Sequence, residues 1–480
     1  MEVAALLLLV VACAVLDFSH LDFPLGYHSD EPRKVSLLVE GRQEFFHPIL
    51  LLQLAHLGCA LIGAVDPVQI VLVGRTVSAL SGVALVLAVF LLARRRLSPR
   101  AALAAAAIVG LSPIVTMHAH YFKEDMLLTL TLVLALLAGV WAEERVTGAR
   151  LVALGVALGL AASSKYIGAL LAPLLLVRAA LAARRQGGRP IAAAGLALGV
   201  GIAAFSLVNY PLFLAPGTFR DGLRFELRHM TTGHGPVVIS PLDWGFAFHL
   251  LYSLLPGLTA PLAFIALAAL LVHLLGWSRV SSEDRLLVLT ALLFYFSAEL
   301  SPTKPHPDFM RYMLPVVPPL ALLAVHAVVR AATTRRALGS IVGVALAGAI
   351  GWSALTSVRL VAGMAYDTRA EAERWLDEHG EPWKGEWFTP AADPVVSVAV
   401  LDPEEERRAG TRYLVASSFM YERALLMCRR GRVDERLQPY CDGYRRLFRY
   451  PYFEIRPAYR SFAFSNPVIR IVDLSGTPTL

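Results

Sequence analysis

Apolar runs of roughly 17 to 25 residues, each long enough to cross a bilayer as a helix, recur from the N-terminus to about residue 358 and then stop. In hydrocarbon every backbone amide must be paired within the protein, so runs of this kind fold as helices packed side by side. The composition agrees, with 56% hydrophobic and 17% charged residues against about 25% charged in soluble domains. An ordinary soluble globule is therefore excluded. The net charge of +7 does not mark a nucleic-acid binder, because the arginines lie largely in short loops between apolar runs. After about residue 360 the chain becomes charged and carries aromatic-rich, period-two runs. The expected organisation is a membrane domain over 1–359 and a small water-facing α/β domain over 360–480.

Lys and Arg in short loops mark the cytoplasmic side. The clusters are Arg94-Arg95-Arg96 with Arg100, Arg145 with Arg150, Arg184-Arg185 with Arg189, Arg279 with Arg285, and Arg330 with Arg335-Arg336. Two spans fit between each consecutive pair, which predicts about eleven transmembrane helices, a cytoplasmic N-terminus and an extracytoplasmic C-terminal domain. The first run, Ala4 to Leu16, has no basic leader and no small-x-small cleavage site, and reads as an uncleaved first span. Counting Pro48 to Val65 as a span would put all five arginine clusters outside, so it is expected to lie at the outer interface. Cys428 and Cys441 share the tail and can pair if that domain is outside the cytoplasm.

Five outward turns follow from this topology, and four carry candidate chemistry. Asp30-Glu31 stands in Gly26-Tyr27-His28-Ser29-Asp30-Glu31-Pro32; either one carboxylate faces a reacting centre, or Asp30 caps a short helix with proline in its first turn. His118-Ala119-His120-Tyr121-Phe122-Lys123-Glu124-Asp125 offers two His and two carboxylates. That run reads as metal ligands or as an interfacial girdle, and the girdle is favoured because no fixed ligand spacing is completed. Lys165 lies alone between two apolar runs and either snorkels to the interface or meets an anion there. Lys304, His306 and Arg311 bring three potential cations to one proline-stiffened turn, as phosphate recognition requires; the alternative is a plain turn with Arg311-Tyr312 as an interfacial anchor. In the long loop Asn209 to Trp244, the spacing of Phe219, Leu223, Leu227 and Met230 predicts an amphipathic helix, either a lid or a plain surface helix.

Together these segments resemble the polyprenyl-phosphate-sugar-dependent glycosyltransferases of the C-type fold, the family of protein O-mannosyltransferases and lipid A aminoarabinose transferases. The resemblance covers roughly Leu6 to Leu320. It rests on Asp30-Glu31, Phe46-His47-Pro48-Ile49-Leu50 running into Gly74-Arg75-Thr76-Val77-Ser78-Ala79-Leu80, Tyr121 to Asp125, Ser163 to Tyr166, and Arg311-Tyr312-Met313-Leu314-Pro315. It implies Asp30 as the catalytic carboxylate with Glu31 beside it, and Asp125 as the second acidic residue. Two adjacent acids, Glu124 and Asp125, stand behind Lys123 in the second motif, and which of them points inward is left open. Lys165, His306 and Arg311, with Lys304 and Tyr312 of the same turn, would hold the lipid phosphate. His47, His120, Lys123 and Glu124 are supporting candidates.

The resemblance further implies a polyprenyl-phosphate sugar donor, a protein, lipid or glycan acceptor, an outer-face site in the plasma membrane, and transfer by a single inverting displacement. It implies no required cofactor and no metal ligands, with a divalent cation left open. The tail lacks a tandem sugar-binding repeat, so it does not mark a eukaryotic-type protein O-mannosyltransferase. Two rival classes are a lipid or glycan transporter or flippase, and a non-catalytic lipid-glycan binder. A transporter favours charges at mid-membrane and internal repeats, whereas here the candidates cluster in outer turns.

Overall fold

The computed structural model of the chain describes residues 2–232, 239–302, 308–390, 394–429, 435–462 and 464–479, with the backbone alone at 308. Up to Met364 it is helical. Among the described residues six helices pass a length and hydropathy test for crossing a membrane: Pro67–Ala93, Glu124–Glu144, Tyr166–Arg185, Pro190–Val208, Phe309–Thr334 and Arg336–His379. Two bent pairs, Pro99–Gly110 with Pro113–Ala119 and Leu250–Leu258 with Ala260–Leu275, bring the number to eight. Eleven is thus not reached by length and composition. Glu2–Phe18 and Gly148–Ser164 have 17 residues each, and Ser282–Leu300 carries Glu283, Asp284, Arg285 and Glu299. Helix Leu50–Ile62, 13 residues long, reaches only about 20 Å and is too short for the roughly 30 Å hydrocarbon core.

Burial separates the inner helices from the outer ones. The apolar window of Glu124–Glu144 is 78% buried, that of Pro190–Val208 only 11%. A helix that is apolar on every face and largely uncovered needs lipid as its solvent. Prolines and side-chain caps set the starts: Asp66 accepts the amides of Val68 and Gln69 ahead of Pro67, and Ser98 accepts that of Ala101 ahead of Pro99. Helices Gly148–Ser164 and Pro190–Val208 cross closely because Gly155 and Gly159 have no side chain. A Cβ on either would lie 2.5 Å from a backbone oxygen of the neighbour, Ala197 O or Gly201 O.

The C-terminal residues form a four-stranded mixed sheet: β1 (Trp383–Gly385), β2 (Tyr413–Ser417), β3 (Tyr452–Ile455) and β4 (Ile469–Asp473), in the order β1-β2-β4-β3. β1 runs parallel to β2, and β4 is antiparallel to both its neighbours, with Val415 opposite Ile471 and Phe453 opposite the same residue. Alternation along β2 sends Tyr413 and Val415 toward helix Thr368–His379, and Leu414 and Ala416 toward helices Ser418–Arg429 and Gln438–Leu447. Both faces are covered, so all five residues of β2 are buried. Cys428 and Cys441 form a disulfide joining those last two helices, with Cα atoms 5.9 Å apart.

Candidate functional site

Asp30 occupies the N-cap position of helix Glu31–Glu40, yet its side chain makes no capping hydrogen bond. The helix-cap alternative is therefore not the one the structure adopts. Its carboxylate instead pairs with Lys123 Nζ and lies 3.7 Å from Arg311 Nη2, with 37% of the side chain still exposed. Burial alone would raise the Asp30 pKa, but Lys123 and Arg311 hold it well below the usual carboxylate range.

Glu31, one residue on, has a different environment. It is wholly buried and receives Arg75 through two bonds, Nε to Oε1 at 3.0 Å and Nη2 to Oε2 at 2.5 Å. The Phe122 amide donates to the same Oε1 at 3.0 Å. Arg75 is further held by the carbonyls of Leu21 and Phe23 and lies over the Phe23 ring. Gly74, next to Arg75, lets the Phe122 ring approach to where its Cβ would stand, 2.2 Å from Cγ. Glu31 therefore anchors two loops to a membrane helix and does not line the cavity beside Asp30.

The cavity beside Asp30 has a volume of about 260 Å³, and its wall includes Lys34, His47, Lys123, Glu124, Lys165, Glu226, Arg311 and Tyr312. Of the two acids in the second motif, Glu124 reaches this wall, where it pairs with Lys34 and lies 3.5 Å from Lys123. Asp125 sits just behind it, 2.9 Å from Lys165 Nζ and 3.5 Å from Arg311 Nε. Lys34, Lys123, Lys165 and Arg311 thus interleave with Asp30, Glu124 and Asp125, so each cation in this cluster stands beside a carboxylate. Lys165 stands 4.8 Å above the Tyr312 ring, whose hydroxyl lies 3.5 Å from Met230 Sδ. His47 is held neutral by burial, and its Nδ1 has no hydrogen-bond partner. Burial also raises the Glu226 pKa above the usual carboxylate range.

Helix Pro216–Thr232 closes one side of this cavity through Phe225, Glu226 and His229. Its packed face is Phe219, Gly222, Leu223, Glu226 and Met230. Leu227, which the spacing assigned to the same face, is 61% exposed. Gly222 sits directly on the Phe45 backbone: a Cβ there would lie 2.5 Å from Phe45 C.

His120 does not reach the cavity. Its Nδ1 and Nε2 face the carbonyls of Thr116 and Ser19 at 2.7 and 2.9 Å. Lys304 and His306 lie outside the described residues. No three His, Cys, Asp or Glu among the described residues form a group able to hold a metal ion. Sequence reasoning missed Lys34, Arg75 and Glu226. Lys34 follows Asp30 by four positions, a helical spacing that could have flagged it; Arg75 and Glu226 carry no comparable local signal. A larger cavity, about 740 Å³, opens between Phe248, Tyr252, Phe419, Arg423 and Arg460. It lacks the buried carboxylate–cation cluster, so the smaller one is the candidate site.

Residues 46–210 match the family model described as dolichyl-phosphate-mannose-protein mannosyltransferase. No curated protein matches the chain. Among solved structures, ArnT from Cupriavidus metallidurans bound to undecaprenyl phosphate superposes with a TM-score of 0.55 at 17% identity, covering 98% of this chain and 97% of that one. The oligosaccharyltransferase AglB from Archaeoglobus fulgidus, in complex with an inhibitory peptide and a dolichol-phosphate, gives 0.53 at 14% identity over 97% of this chain and 74% of that one. The resemblance seen in the sequence is met in two respects: residues 46–210 are similar to the dolichyl-phosphate-mannose-protein mannosyltransferase family, and the chain shares its fold with ArnT and AglB.

Proposed function

We propose that the chain transfers a sugar from a polyprenyl-phosphate donor to a hydroxyl-bearing acceptor at the extracytoplasmic face of the membrane. The observation that carries this reading is the half-exposed, ionised Asp30 at the rim of a cavity walled by Lys34, Lys123, Lys165 and Arg311. In such a site the acceptor oxygen attacks the anomeric carbon while its proton passes to Asp30. The bond from that carbon to the phosphate oxygen breaks, and the electron pair leaves with the polyprenyl phosphate, whose charge the cations hold. One displacement inverts the anomeric centre. Tyr312 and the neutral His47 border the phosphate, and Asp125 keeps Lys165 and Arg311 aimed at it.

Glu2–Phe18, Gly148–Ser164 and Ser282–Leu300 cross the membrane with the eight longer candidates, giving eleven spans, a cytoplasmic N-terminus, and the sheet of residues 383–473 outside as a separate domain. The Cys428–Cys441 disulfide supports that side, since such bonds persist in oxidising compartments. Removing the Asp30 base by Asp30→Asn is expected to slow transfer by about 10²- to 10⁴-fold with donor binding kept. A variant that turns over like the wild type would remove Asp30 from the mechanism.

A further inference from the structure

Asp30 lies in an irregular segment, 19–30, that joins helices Glu2–Phe18 and Glu31–Glu40. Its own backbone bonds are few and long: Tyr27 N to Pro24 O at 3.4 Å and Glu31 N to His28 O at 3.2 Å. A carboxylate that must meet a hydroxyl proton within a few tenths of an ångström needs a firmer mount. The Glu31–Arg75 pair supplies one side of it. The other side comes from a residue about 340 positions away.

We infer that Arg369, on the helix Thr368–His379, is a positioning residue for Asp30. Its guanidinium is almost wholly buried. Nε and Nη2 donate to the two oxygens of Asp367 at 2.8 and 2.7 Å, Nη2 also to Phe464 O at 2.8 Å, and Nη1 to Tyr27 O at 2.9 Å, with the plane 3.7 Å above the Tyr27 ring. Asp367 is fixed in turn by the amides of Arg369 and Asn466. The next residue after Tyr27 completes the link. The His28 ring packs against Phe464 at 4.0 Å and Tyr121 at 4.9 Å, and its Nδ1 accepts the Asp30 amide at 3.2 Å. Backbone and side-chain contacts therefore run from Asp367 through Arg369, Tyr27 and His28 to the amide of the catalytic residue. Only a guanidinium can do this, because its planar fork reaches a carboxylate and two carbonyls at once, whereas an ammonium is a single point of donation.

The C-terminal residues thus serve the membrane site by holding its catalytic loop. This rests on the function proposed above, and the test separates the two. Hydrogen exchange of the amides of Tyr27 to Glu31 is read in purified wild-type, Arg369→Ala, Arg369→Lys and Arg412→Ala protein. Transfer is then measured from a panel of undecaprenyl-phosphate sugars to the lipid and peptide fractions of the membrane. Arg369→Ala is expected to expose those amides while β2 stays protected, and to lower kcat by about 100-fold with KM for the donor within about twofold of wild type. Arg369→Lys, which keeps the Asp367 pair, should fall between. Arg412, paired with Asp473 on the sheet, should change neither readout. Unchanged exchange in Arg369→Ala would overturn the clamp. Exposed amides with full transfer would show that the clamp does not position Asp30 for chemistry. A wild type that transfers nothing would overturn the proposed function and the catalytic half of this inference, while the exchange data would still decide whether the clamp exists.

Discussion

Two adjacent acids with opposite tasks are the finding at the scale of single residues. Asp30 keeps a half-exposed carboxylate between Lys123 and Arg311, while Glu31 spends both oxygens on Arg75. Substituting Glu31 by Gln leaves Arg75 buried without its counter-charge, which costs about 3–5 kcal/mol; thermal unfolding in detergent should therefore show a large loss of stability. Asp30→Asn gives up its ion pairs at a side chain that is 37% exposed and should lose less stability than Glu31→Gln. If Glu31→Gln were instead fully stable and catalytically dead, the division of roles would be reversed. The pH dependence follows from the depressed Asp30 pKa. A lowered folded-state value means the carboxylate stays charged above the unfolded value and loses its advantage only as pH falls through the folded one, so no acid limb from Asp30 is expected between about pH 5 and 8. Lys123→Met removes the nearest cation and should bring such a limb toward that window in a pH–rate profile. Much of this was legible in the chain: Asp30, Asp125, Lys165 and Arg311 all stand out as charges in turns between apolar runs. What separates Asp30 from Glu31 was not, because Arg75 lies 44 positions away on an otherwise apolar helix and no local spacing ties it to Glu31.

At the scale of elements, helix Pro216–Thr232 was readable from its period, but its orientation was not. Leu227 fits the apolar stripe and is nonetheless exposed, since the helix seats itself by laying Gly222 on the Phe45 backbone. Close approach of this kind leaves no apolar signal. Gly222→Ala should push the helix off the cavity, and the expected outcome is a raised KM for the donor, with kcat changed less, in steady-state kinetics. The sheet gives a second element-scale prediction. Burial pushes Glu386 up to about 8, and it accepts bonds from Tyr444 Oη at 2.7 Å and the Ser417 amide at 2.8 Å. Because the folded state keeps a proton that the unfolded chain releases near 4.5, stability should fall as pH rises from about 4.5 to about 8. Glu386→Gln should flatten that slope, as read from melting temperatures across the range. The sheet was visible only as aromatic-rich, period-two runs after about residue 360. The short β1 was not, since three residues carry too little pattern.

At the scale of the whole molecule, the apolar runs set out a helical membrane region that the fold follows, with six candidate spans among the described residues, or eight if each bent pair is one span. What the sequence could not express is how turns separated by hundreds of residues meet. Segments around Asp30, Glu124, Lys165 and Arg311 converge on one cavity only because the helices between them pack as they do. The proposal of a lipid-phosphate site in that cavity is open to direct measurement. Affinity for undecaprenyl phosphate, with undecaprenol as the uncharged control, should be determined for the wild type, Lys165→Ala, Arg311→Ala and Asp30→Asn in detergent. Loss of one charge-assisted contact should weaken phosphate binding by about 10- to 100-fold in each cation variant, with the alcohol unaffected and Asp30→Asn binding at least as well as the wild type. Equal affinities for phosphate and alcohol across all four proteins would contradict a phosphate site at Lys165 and Arg311.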